Sequence, residues 1–113
     1  MKVAELTGAK LDYWVYHALN GKHLADFTGG TVPYSSDWAW GGPIIEREEI
    51  EINVSEHRLY APDGKTLWAA DWYPKKGKQQ DCHSQKGSSA LEAAMRCYVA
   101  SEFGEEVPDE PTR

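Results

Sequence analysis

Leu11, Trp14, Val15 and Ala18 recur at helical spacing behind Leu6 and Thr7. A hydroxyl at a helix start accepts from the free N–H groups of the first turn, so Thr7 reads as an N-cap, and Gly21 after Asn20 supplies a stop. The spacing predicts an amphipathic helix over about residues 8–20, with Trp14 inward and Asp12, Tyr13 and Tyr16 on other faces. His17 is expected at the surface, because no sequence neighbour would orient it. From Glu49 to Val54 the pattern alternates with period two, predicting a strand that buries Ile50, Ile52 and Val54. Arg58 to Ala61 reads as a second strand. Pro62-Asp63-Gly64-Lys65 is a turn, and Thr66 to Tyr73 returns as a third strand. On that strand Trp68, Ala70 and Trp72 share one face, while Leu67, Ala69, Asp71 and Tyr73 share the other. Apolar groups on both faces suggest that one packs on helices and the other on a second surface, such as another copy of the chain. Ser89-Ala90-Leu91-Glu92 is a capping box, and Leu91, Ala94, Met95, Tyr98 and Val99 form an apolar stripe that Gly104 closes.

These elements predict one α+β domain over residues 1–104. It is an antiparallel sheet of three or four strands, with two helices packed mainly on one face. Residues 105–113 form an acidic tail with two prolines, expected to be disordered or loosely attached. Two stretches fall outside the periodic pattern. Residues 22–47 show little regularity beyond a short strand near Leu24 to Phe27, with Gly29-Gly30 and Pro33 as punctuation. Pro74 to Gly87 is polar and lysine-rich and reads as a loop.

The irregular stretch contains the most unusual run of the chain, Tyr34 through Glu48. It sets Trp38 and Trp40 beside a Gly41-Gly42-Pro43 turn and a cluster of charges. Two indoles in a loop either seal the core from outside or offer a stacking surface. Trp38 and Trp40 suit a planar group. Ser36 and Asp37 suit hydrogen bonds to a hydroxyl or amine, and Gly41 and Gly42 allow close backbone approach. Arg47 and Arg96 suit an anion. Each also has a structural reading: Trp38 as a core anchor, Asp37 as a turn cap, Arg47 paired with Glu49 or Glu51, and Arg96 paired with the tail acids.

Charge narrows the function classes. The 113-residue chain carries a formal net charge of -6, which opposes generic binding to nucleic acid or to anionic membrane. No apolar run has the length of a membrane span, and no signal-peptide core opens the chain. Cys82 and Cys97 are the only cysteines, expected to be free thiols, with Cys97 in the core. No metal is expected, because no Cys or His pair has ligand spacing. Neither a nucleophile elbow nor a phosphate-binding glycine loop occurs, so no enzyme activity and no cofactor are expected.

The runs Ser36–Glu48 and Ala93–Ser101, together with the opening Glu5–Asp12, resemble the NinX-type family of small phage and prophage proteins. Asp37-Trp38 followed by Gly41-Gly42-Pro43 and Glu46-Arg47 carries the resemblance, with Trp40 standing where glutamine is the commoner residue. The resemblance implies an accessory protein of a tailed phage, made in the cytoplasm of the infected bacterium, and leaves its activity unspecified. Two readings follow. One is sequestration, without chemistry, of a small nucleotide-like ligand such as an immune signal, by a homo-oligomer with the Trp38 loop at its pocket. The other is an inhibitor or recruiter that binds a host protein, with exposed tryptophans as anchors.

Overall fold

The computed structural model describes residues 1–19, 32–74 and 81–108. Three α-helices and a three-stranded antiparallel sheet make an α+β fold. A short 3-10 helix, Val3–Glu5, leads into α1, Gly8–Leu19. Next come α2, Trp38–Glu48, β1, Glu51–Glu56, and β2, Leu67–Trp72. β3, His83–Gly87, and α3, Ala90–Phe103, complete the fold. The strands pair in chain order as a meander, β1-β2-β3.

α3 is the centre of the molecule. Ser89 caps it by accepting from the Glu92 N–H at 3.0 Å, as the capping box predicts. Glu92 reaches one residue further back than the motif requires, accepting from the Ser88 N–H at 2.8 Å. Ala93, Ala94, Met95, Cys97, Val99 and Ala100 are fully buried. A helix apolar on nearly every face needs partners all round, and α3 packs on the strands, on α1 and on α2. Gly87 of β3 lies so close that a Cβ there would sit 2.7 Å from the Ala93 nitrogen. Leu6, Leu11, Val15 and Trp14 fill the core from the α1 side, and Ala70 and Trp72 from the sheet.

Several expectations are corrected. His17 is buried, its ring stacked on Phe103 at 5.4 Å and tilted against Trp14 at 5.2 Å. It lies three residues after Trp14 and therefore on the same helix face. Arg58 to Ala61 is a turn: the Tyr60 and Ala61 N–H groups donate to the His57 carbonyl at 2.8 and 3.1 Å. The turn at Gly64, with φ +70, is present, but the hairpin joins β1 to β2 through residues 57–66 and not a strand at 58–61. Val54 is exposed, because α3 covers β2 and β3 far more than β1. β3 occupies part of the stretch expected to be a loop. Trp38–Glu48, expected to be irregular, is helical. The start of the tail is tied down: the Val3 N–H donates to Glu105 and the Val107 N–H to Met1, each at 2.9 Å, and Val107 is buried. The expected strand at Leu24–Phe27 lies outside the described residues.

Candidate functional site

The first turn of α2 is built to stand still. Asp12 of α1 is buried and accepts from the Ser35 N–H at 2.8 Å, tying the approach segment to α1. The Asp37 N–H donates to the Pro33 carbonyl at 2.9 Å, and the Asp37 carboxylate accepts from the Ala39 N–H at 2.9 Å. Asp37 is therefore the N-cap of a helix. Gly41 faces the core: a Cβ there would lie 2.5 Å from Leu91 Cδ1 and closer still to the Tyr34 carbonyl oxygen. Only glycine permits that approach, which seats α2 on the start of α3.

This seating leaves both indoles outward. Trp38 is 55% exposed and Trp40 51% exposed. Tyr34 meets Trp40 edge to face at 6.4 Å. Burial, then the neighbouring Tyr16 and Asp12, raises the Tyr34 phenol above its ordinary pKa and keeps it neutral.

The two arginines are elsewhere. Arg47, in the last turn of α2, lies about 13 Å along the axis from Trp38 at 1.5 Å per residue. Its Nε donates to Glu48 at 2.9 Å and its Nη2 to the Tyr98 hydroxyl at 3.2 Å. Burial works against the Arg47 charge, but these partners outweigh it and raise its pKa. Burial pushes Tyr98 up to about 12. Arg96, on α3, donates from Nε to the Leu6 carbonyl at 2.8 Å and from Nη1 to the Lys86 carbonyl at 2.6 Å, with Glu92 at 3.5 Å. Its partners stitch the first segment and β3 to α3. Ser36, Asp37, Trp38, Trp40, Gly41 and Gly42 thus share one helix start, whereas Arg47 and Arg96 do not join them.

Two grooves among the described residues lie away from that helix start. The larger, about 1010 Å³, runs over the open face of β2 and β3, past Leu67, Ala69, Ser84 and Lys86. Its charged lining is Glu56, Asp63, Asp71, Glu92 and Glu105 against Lys65, Lys86 and Arg96. That balance is acidic, and Glu92, Glu105 and Arg96 are already bonded within the protein. The smaller, about 630 Å³, lies among Lys2, Ala4, Phe103, Glu105 and Glu106. No group of three His, Cys, Asp or Glu side chains among the described residues is placed to hold a metal. Cys97 is buried, and desolvation pushes its thiol up to about 12, whereas Cys82 is exposed.

Sequence reasoning missed one surface. Val54, Leu59 and Tyr60 are exposed at 46, 74 and 84%. They sit on β1 and the turn after it, toward the end of the sheet where β2 begins, because Val54 pairs with Trp68. α2 starts at the same end: Trp68 pairs with Gly87, Gly87 packs on Ala93, and Gly41 packs on Leu91. The signal was the missing alternation between His57 and Pro62, where apolar residues stand inside a turn.

The class is thus a small α+β protein that presents aromatic side chains from a capped helix start. The sequence profile of the family described as bacteriophage P22 NinX matches residues 2–102, and the chain belongs to that family. No curated protein matches the chain. No helix among the described residues is long and apolar enough to cross a membrane.

Proposed function

We propose that this phage protein acts by docking on a protein of the infected bacterium, with no chemistry of its own. One observation carries the reading: Trp38 and Trp40 stand about half exposed on a helix start fixed by the Asp37 cap and the Gly41 approach. Tryptophan is strongly enriched among residues that dominate protein interfaces, and a backbone already fixed at the helix start reduces the ordering cost of binding. Sequestration of a nucleotide-like ligand draws less support. It needs Asp37, Trp38, Arg47 and Arg96 around one hollow, and Arg96 already holds two carbonyls on another side of α3.

The test is affinity capture from infected cells with the native chain and with a Trp38→Ala/Trp40→Ala variant. The reading expects one stoichiometric host protein that the variant loses by at least tenfold, with the variant still folded. A small molecule released by heating, and no protein, would instead favour sequestration. A sedimenting mass that rises with protein concentration, and falls in the variant, would assign the indoles to self-association.

A further inference from the structure

Asp12 is a costly residue where it stands. It lies in the second turn of α1 and is buried along with Leu11, Trp14, Val15 and His17. Aspartate is a poor helix former, and a buried carboxylate loses its hydration. Among the described residues it recovers a bond from the Ser35 N–H at 2.8 Å. That bond differs in kind from its neighbours. The Tyr34 N–H donates to the Val32 carbonyl at 2.8 Å, and the Ser36 and Asp37 N–H groups donate to the Pro33 carbonyl at 3.3 and 2.9 Å. Of these four, the Ser35 bond alone leaves the segment that leads into α2 and crosses to α1. The same carboxylate also acts on the residue beside Ser35. After burial, Tyr16 and Asp12 raise the Tyr34 phenol pKa, so two α1 side chains one helical turn apart bear on it. The Tyr34 ring in turn meets Trp40 edge to face at 6.4 Å.

We infer that Asp12 is a positioning residue for the Trp40 indole, acting from α1 through Ser35 and Tyr34. The carboxylate fixes the Ser35 backbone, and with it the place of Tyr34 against α1. Tyr34 then gives Trp40 a wall to meet. Asp12 touches no partner itself. A supporting bond of this kind holds a recognition side chain in the geometry that binding uses. The inference deepens the docking reading by making α1 part of that site. It rests on that reading for the effect on partner capture, and not for the effect on Trp40.

The experiment compares Asp12→Ala and Asp12→Asn in the full chain labelled with 5-fluorotryptophan. Alanine removes the acceptor, whereas asparagine keeps an oxygen for the Ser35 N–H. In the folded alanine variant, Ser35 amide exchange should rise at least tenfold against the α3 amides. The Trp40 fluorine resonance should move while those of Trp68 and Trp72 on β2 stay, and capture of the host partner should fall at least tenfold. Asp12→Asn returns all three readings toward the native values. Tyr34→Leu is a second arm that keeps Asp12 and does not depend on the alanine variant folding. It should move the Trp40 resonance and leave Ser35 exchange unchanged. The inference is overturned if Asp12→Ala lowers stability but leaves Trp40 at its native shift, if asparagine fails as alanine does, or if Tyr34→Leu leaves Trp40 unmoved. A displaced Trp40 with capture intact also overturns it and leaves the docking to other residues. A native chain that captures no host protein sinks the docking reading instead, and the Ser35 and Trp40 readings still decide whether Asp12 positions the indole.

Discussion

α2 and α3 open alike and end in opposite uses. Each starts at a short polar side chain that accepts from its first-turn N–H groups, Asp37 for α2 and Ser89 for α3. α3 then turns almost every apolar side chain into the core, and α2 turns two tryptophans into water. The contrast lies in how residues are spent. Small side chains in α3, Ala93, Ala94 and Ala100, let strands and helices approach closely. In α2 the small residue is Gly41, which seats the helix start on α3 and, with Ile44 buried behind it, leaves Trp38 and Trp40 outward. α3 is arranged for stability, and the first turn of α2 is where the proposed docking falls.

Variants should break that contrast in a graded order. Met95→Ala removes a fully buried side chain of α3 and should lower unfolding free energy by about 3 kcal/mol in denaturant titration. Gly41→Ala forces a methyl against Leu91 and the Tyr34 carbonyl and should cost about 2 kcal/mol, while shifting the fluorescence of the neighbouring indoles. Glu92 sharpens the account through pH. Burial alone would raise its carboxyl pKa, but bonds from Ser88 and Thr7 and the charge of Arg96 win and lower it. A lowered folded pKa stabilises the fold above the ordinary carboxylate range and is lost as pH falls through the folded value. Glu92→Gln should therefore destabilise the protein at neutral pH, and its deficit against the native chain should shrink in acid. The smallest effect on stability belongs to Trp38→Ala/Trp40→Ala, under about 1 kcal/mol by the same titration, since both side chains stay half exposed.

The same contrast explains what the sequence discloses. α1 announces itself by a 3.6-residue apolar rhythm, and α3 by its Ser89 cap, its apolar stripe and the closing Gly104. α2 does not, because Gly41, Gly42 and Pro43 together disfavour a helix by about 5 kcal/mol against alanine. Packing on α3 and the Asp37 cap override that preference, and neither is visible in local propensity. β3, with His83-Ser84-Gln85-Lys86-Gly87, has no apolar alternation at all. It is a strand because β2 pairs it and α3 covers it, with Gln85 donating to Glu105 at 2.7 Å. Of the candidate site, the tryptophans and Asp37 were legible as a unit because they are adjacent in sequence. Arg47 and Arg96 look alike in sequence, and only the fold reveals that Tyr98 and two backbone carbonyls already hold them.

The central claim is that the indoles of Trp38 and Trp40 meet water in the free protein and a partner in the bound one. Fluorine NMR of 5-fluorotryptophan-labelled protein reads this directly, with five resonances assigned by single substitutions. The account predicts larger solvent isotope shifts for Trp38 and Trp40 than for the buried Trp14 and Trp72 in the free chain, lost on adding the captured partner, with Trp14 and Trp72 unchanged throughout. Resonances of Trp38 and Trp40 that are shielded from solvent before any partner is added would contradict it.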